Sequence, residues 1–155
     1  MRCLTCIVLT GITFACGGGR LTDPDELTNE DFADALSVDL AAMTRTVSGL
    51  YWQDLVVGTG TEAVVGALVV VQYDGYLING TLFDTSRDKS ESFDFTLGAG
   101  QVIRGWDEGV RGMRVGGVRK LVIPPNLAYG PAGIPGTIPS NATLVFDVEL
   151  LDVIP

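Results

Sequence analysis

The chain has 155 residues, enough for one domain with appendages, and its 20 glycines and seven prolines suit strands and turns better than a helical bundle. A formal net charge of −9 argues against nucleic acid as a partner, because phosphate binding needs clustered Lys and Arg and only ten are present. The absence of histidine removes the usual general base, the commonest zinc ligand and any Ser-His or Cys-His nucleophile.

All three cysteines, Cys3, Cys6 and Cys16, precede residue 17, so the folded part can contain no disulfide and its stability must come from packing. Arg2 is followed by an apolar, uncharged run from Cys3 to Cys16, too short at about 1.5 Å per residue to cross a hydrocarbon core about 30 Å thick. It reads as the h-region of an export signal. Ala15 before Cys16 and the glycines after it resemble the lipobox of bacterial lipoproteins, in which the cysteine is acylated. Thr13 and Phe14 depart from that pattern, and an ordinary secretory cut near Ala15 is the alternative. Either reading places the protein in the bacterial cell envelope, and the lipobox-like reading adds a membrane anchor at Cys16.

Residues 17–45 carry seven acids against Arg20 and Arg45, a charge density that reads as a solvated spacer. Within it Phe32, Ala35, Leu36, Leu40 and Met43 recur at three- and four-residue steps, with Thr28 as N-cap, and predict one short amphipathic helix over 28–43. Its stripe is expected to pack intramolecularly rather than to form a dimer seam. The expected division is a signal segment (1–16), an acidic linker (17–45) and a main domain (46–155). Because every pocket residue named below follows Val47, a chain starting there is expected to fold and keep most of its turnover.

Leu50 to Val57 reads as a strand ending in a Gly58-Thr59-Gly60 turn. Ala67 to Ile78 is rich in β-branched and aromatic residues, ends in Asn79-Gly80 and resumes at Thr81, a hairpin signal in which both turn residues tolerate positive φ. Phe93 to Leu97 is a further strand. Ile103, Trp106, Val110 and Met113 fall at helical spacing in a helix that Gly116 and Gly117 are expected to end. Val118 to Ile123 is a strand stopped by Pro124 and Pro125. The connection from Pro124 to Asn141 has five prolines and three glycines, too long and stiff for a plain turn, and loops of this kind usually bind something. The last strand puts Leu144, Phe146, Val148 and Leu150 on a core face and Val145, Asp147 and Glu149 on a face toward water. The pattern implies an α+β fold, a curved antiparallel β-sheet wrapped around one short α-helix.

Tyr73, Phe83, Asp84, Phe93, Val102, Ile103, Trp106, Tyr129 and Phe146 form an aromatic and aliphatic set with one carboxylate and no metal-ligand cluster, suited to an apolar substrate. Singly, each has an ordinary structural reading: Trp106 and Phe146 as core, Tyr129 beside Gly130 as a turn residue, Asp84 as a turn former. Together, YDG, FDTS, VIRGWDEGV, AYG and TLVFDVELL, in this order from about Gly58 to Val153, resemble the FKBP-type peptidyl-prolyl cis/trans isomerases.

The resemblance implies the half-barrel of that family and isomerisation of X-Pro bonds in proline-containing polypeptides, here of envelope or secreted proteins, with no cofactor, metal or nucleotide; a monomer is expected, although the sequence itself does not name the oligomeric state. It also implies macrolide inhibitors as ligands. By the resemblance Trp106 is the floor under the proline ring, and Tyr73, Phe93, Val102, Ile103 and Phe146 are walls. The Ile103 backbone N–H and the Tyr129 hydroxyl correspond to donors to ligand carbonyls. Asp84 stands at the edge, orienting Tyr73 or lying near the rotating carbonyl, with Phe83 supporting that edge. Ile134 and Ile138 in the long loop complete the implied substrate contacts. Arg87 pairs with Asp84 or a neighbouring acid, or is a solvated loop charge. Ile134 stands where many relatives carry a histidine, Thr137 replaces a common isoleucine and Gln101 a frequent acid, departures that bear on substrate preference and macrolide affinity. Rotation about X-Pro crosses a barrier of about 20 kcal/mol without making or breaking a σ bond, so binding the twisted amide more tightly than either planar isomer suffices for catalysis. The alternative is a peptide-binding or holdase lipoprotein that keeps the pocket without useful turnover.

Overall fold

The computed structural model describes Leu27, residues 30–89 and residues 91–155. The signal segment, Cys16 and Thr28 lie outside these residues. Seven strands, β1 (Thr44–Arg45), β2 (Tyr51–Val56), β3 (Leu68–Leu77), β4 (Leu82–Thr85), β5 (Phe93–Thr96), β6 (Val118–Ile123) and β7 (Leu144–Ile154), form one antiparallel sheet with the helix α1 (Arg104–Gly109) between β5 and β6. The strand order is β1-β2-β6-β7-β3-β4, and β5 pairs along β3 beside β4. This is the open half-barrel expected from the strand pattern.

The long strands β3 and β7 make its spine, paired from Leu68 opposite Ile154 to Leu77 opposite Leu144 with a register shift between Val70 and Val71. Alternation then sends Val69, Val71, Leu144, Phe146, Val148 and Leu150 to the concave side, where they meet Phe95, Trp106, Val110, Leu121 and Ile123 in the main core. Helix α1 approaches β6 through its glycines. A Cβ on Gly109 would stand 2.7 Å from Leu121 Cδ2, and one on Gly105 would overlap Ile123.

The helix is shorter than its apolar spacing predicts. It ends at Gly109 because buried Arg119 on β6 donates from Nη1 to the carbonyls of Gly109 (2.9 Å) and Arg111 (3.2 Å), and because Gly112 turns the chain at φ 78°. Arg119 also makes two bonds to Asp54, 2.6 and 3.0 Å, and lies 4.1 Å over the Trp52 ring. The groups C-terminal carbonyls need are thus supplied from the sheet rather than by Gly116 or Gly117.

Residues 30–43 correct the helix expected there. They form a strap with a single 3-10 turn at Asp34–Leu36, followed by Ser37 at φ 49°. The Ala33 N–H is given to Ile78 O at 2.8 Å instead of to the strap's own backbone; of the apolar stripe, Leu36 and Met43 are buried against the convex face of the sheet, Phe32 and Leu40 are half-buried there, and Ala35 is exposed. Leu27, Leu36 and Met43 cover Tyr51, Val122 and Val145 there. Packing against the sheet therefore replaced helical hydrogen bonding, and the side of β7 expected to face water holds Val145 at 0 % exposure. At the β3–β4 hairpin only Gly80 adopts positive φ, 86°. Its N–H donates to Leu77 O, and Leu77 N–H to Thr81 O, a type I turn closed by a glycine bulge.

Candidate active site

On the concave side the aromatic residues of four strands and α1 leave a cavity of about 260 Å³. Trp106 is its floor: α1 is fixed to β6 by Gly105 and Gly109, so the indole, 4 % exposed, must point up between the strands. Its ring meets Tyr73 at 4.9 Å between centroids and Phe146 at 5.3 Å, both nearly perpendicular. Phe93 stands 5.9 Å from it and 6.0 Å from Tyr73, again edge to face. These edge-to-face contacts are the favoured geometry of aromatic pairs and lock the walls relative to the floor. The indole Nε1–H is buried with no partner among the described residues, so a polar group is kept out of water at the base of the cavity.

Gly75 on β3 shapes the far wall. A Cβ there would lie 2.7 Å from Phe146 and 2.9 Å from Phe83, so its absence is what lets those rings meet edge to face at 5.6 Å. Nothing in the strand pattern distinguished this glycine from a weak strand residue; its neighbours across β4 and β7 were the missing information.

The polar edge is built from adjacent strands. Gly75 is paired with Asp84, which places the carboxylate where the phenol of Tyr73 can reach it. Tyr73 donates to Asp84 Oδ2 at 2.6 Å, and the Thr85 N–H donates to Oδ1 at 3.0 Å. Ser86 holds the Tyr73 backbone from both sides, accepting its N–H on Oγ (3.0 Å) and donating its own N–H to the Tyr73 carbonyl (3.1 Å). Burial first, then the hydrogen bond and charge of Asp84, push the Tyr73 phenol far above its ordinary pKa. Tyr129 is raised as well, by burial and then by Asp84. Both phenols therefore keep their protons at neutral pH; that of Tyr73 is donated to Asp84.

Tyr73, Phe83, Asp84, Phe93, Val102, Ile103, Trp106, Tyr129 and Phe146 all line the cavity, as does Gln101, which had stood out only as a departure from the family pattern. Ile134 and Ile138 do not line it. They pair with each other across the turn of the long loop, and Ile138 is 4 % exposed within the core. Arg87 bonds Asp74 at 2.9 Å, Glu149 at 3.0 Å and Gln72 at 3.2 Å, which settles it on neighbouring acids rather than Asp84. Among the described residues no cluster of His, Cys, Asp or Glu forms a metal-ligand set.

The comparisons with known proteins agree with this geometry. Residues 60–151 match the family described as FKBP-type peptidyl-prolyl cis-trans isomerase. A FK506-binding protein of Neisseria meningitidis serogroup B is 53% identical over 107 residues, covering 69% of this chain and 98% of the relative. FK506-binding protein 1 of Dictyostelium discoideum is 55% identical over 94 residues, covering 61% and 88%. Among solved structures, FkpA from Escherichia coli superposes with a TM-score of 0.69 at 45% identity, over 79% of this chain and 55% of that one. AtFKBP13 gives 0.67 at 41% identity, over 71% and 97%. With the half-barrel, the aromatic cavity and the family match in agreement, the chain belongs to the FKBP-type peptidyl-prolyl cis-trans isomerases.

Proposed function

We propose that this isomerase acts on X-Pro bonds of envelope or secreted polypeptides by stabilising the twisted amide in the cavity over Trp106. The observation that carries this reading is the combination of an aromatic floor and walls with a single carboxylate already engaged by Tyr73. A planar prolyl amide has a large dipole that water solvates; the twisted amide has lost resonance and much of that charge separation, so transfer into an apolar cavity favours it over both planar isomers. Trp106 carries the proline ring, while Tyr73, Phe93, Val102 and Phe146 exclude water. The Tyr129 hydroxyl and the Ile103 N–H hold carbonyls of the flanking chain, and Asp84 keeps the Tyr73 phenol oriented. The same surface takes the macrolide ligands of the family, with an affinity modified at Gln101, the one of the three departures from the family pattern that lines the cavity.

The envelope location rests on the apolar run before Cys16, and anchoring on Cys16 itself. Replacing Cys16 with Ala is expected to move the protein from the membrane fraction to the soluble or precursor pool; since one acyl chain holds only marginally, stable retention implies more than one. Unmodified Cys16 in the native host would end the anchoring reading. The catalytic reading is tested by isomerisation of proline peptides with varied preceding residues. If folded Trp106→Ala and Phe146→Ala variants keep the wild-type rate, a peptide-binding holdase takes its place.

A further inference from the structure

We propose that Gln101 is a specificity-determining residue of the cavity rim, whose oriented carboxamide admits peptides carrying an acidic side chain beside the proline. This rests on the isomerase reading above and deepens it. Gln101 lines the cavity, and its Oε1 accepts the Thr96 N–H at 2.8 Å. With the oxygen committed to the backbone, the amide Nε2 and its two hydrogens are the group left for a ligand.

The loop that carries Gln101 is fixed at its other end as well. Asp107 on α1 accepts the N–H of Gly98 on one carboxylate oxygen (2.8 Å) and that of Gly100 on the other (3.0 Å). The Ala99 N–H bonds back to Thr96 O at 3.2 Å. The segment from Thr96 to Gln101 is thus closed on itself and tied to the helix that bears Trp106. The carboxamide is preorganised, and little side-chain entropy remains to be lost when a ligand meets it.

Charge makes this position selective. Asp84 already lines the cavity, and Gln101 lines it too; an acid at position 101 would accept the same Thr96 N–H with equal geometry but would place a second carboxylate on the rim. Like charges disfavour an acidic side chain of the substrate, whereas a neutral donor can bond it. The neutral amide therefore widens the accepted set toward acidic flanking residues without any change in the floor or walls.

The test is kcat/KM of the full chain and its Gln101→Glu variant on three peptide series with Leu, Glu or Lys beside the proline, read with thermal unfolding. The variant keeps the acceptor for Thr96, so its unfolding is expected to match the wild type. Expected is a drop of roughly five- to tenfold on the Glu peptides, the order of one like-charge pair at a partly solvated rim, with Leu peptides within about twofold and Lys peptides unchanged or faster. Gln101→Met, which removes the donor without adding charge, is expected to lower the Glu peptides by about threefold and to spare the Lys peptides. An equal change on all three series, or no change on any, overturns the role of Gln101 and leaves the isomerase reading intact. A wild-type chain inactive on every series overturns the isomerase reading and this inference with it.

Discussion

The phenol of Tyr73 donates to the carboxylate of Asp84 across 2.6 Å, from the middle of one strand to the end of its neighbour. The contact makes the one acid named in the site a hydrogen-bond acceptor for a wall residue, and after burial it is the next cause that raises that phenol's pKa above its ordinary value. On the proposed mechanism, no group of this site must gain or lose a proton.

The rate constant is therefore expected to be flat from about pH 6 to 8. Stability should behave differently at high pH. The folded pKa of Tyr73 lies above its unfolded value of about 10, so the native state holds a proton that the unfolded chain releases, and stability falls as pH rises beyond that value. Tyr129 adds to the same loss, in the same direction. Tyr73→Phe should reduce the alkaline decline, measured as the denaturant midpoint between about pH 9 and 11; an unchanged slope would show that other groups set it.

Walls and floor should matter more than the hydroxyl at the rim. Trp106→Ala and Phe146→Ala open the aromatic surface and leave cavities costing about 3–5 kcal/mol, so their rates must be read beside their unfolding. Tyr129→Phe deletes one hydrogen bond of about 0.5–1.5 kcal/mol, a loss of roughly three- to tenfold in turnover at most. A Tyr129→Phe effect larger than that of folded Trp106→Ala would invert the assignment.

Gly75 offers a test from the opposite direction, by adding atoms. Gly75→Ala pushes a methyl between Phe83 and Phe146, with overpacking expected to cost about 1–3 kcal/mol and to tilt the far wall. Loss of isomerase activity well beyond the loss of folded protein, measured by kcat/KM against thermal unfolding, would mark the edge-to-face pair as part of the catalytic surface. Parallel losses would mark it as packing alone.

The strands were legible because each carries its signal locally: β-branched runs bounded by glycine and proline, and a two-residue period on β7. The nine cavity residues were legible as words in a family's order, since no local rule separates Trp106 from any other helix tryptophan. What escaped depends on partners distant in sequence. The end of α1 is set by Arg119 ten residues beyond Gly109, and the loop before the helix by the Asp107 carboxylate. The strap showed helical spacing because its apolar residues must meet a sheet face, and the competing bond from Ala33 to Ile78 is invisible in the local pattern. Ile134 and Ile138 carried their assignment from the family resemblance; the backbone bridge joins them across the loop turn, both pack against the main core, and neither is among the residues lining the cavity.

Arg119 is expected to be the costliest single charge to remove. Its guanidinium, 7% exposed, pairs with Asp54 and caps two carbonyls that follow or end α1. Arg119→Ala leaves those carbonyls and the carboxylate without their donor, at about 2–4 kcal/mol by denaturant unfolding, with Asp54 partly compensated by water. Arg119→Lys keeps the charge but not the fork that serves Asp54 and the helix together, and should recover less than half of the loss. Full recovery by lysine would show that charge, and not the planar fork, holds the helix end.

The strap turns the modularity expected from the sequence into a quantitative question. A chain starting at Val47 keeps every cavity residue but uncovers Val122 and Val145, both 0% exposed, together with Tyr51. It also loses the bond from Ala33 to Ile78 and the one from Thr143 to Glu30, which tie the strap to the β3–β4 hairpin and to the base of the long loop. Exposing two valines and part of a tyrosine costs about 3–6 kcal/mol as an upper bound. Such a chain is expected to unfold cooperatively at a markedly lower temperature and, below that temperature, to isomerise at a rate close to that of the full chain, because the floor and walls lie on the opposite side of the sheet. An unchanged midpoint would show the strap to be a spacer that merely rests on the sheet. A lowered midpoint together with a lost rate, measured well below melting, would show that the strap also holds the cavity in shape through the hairpin.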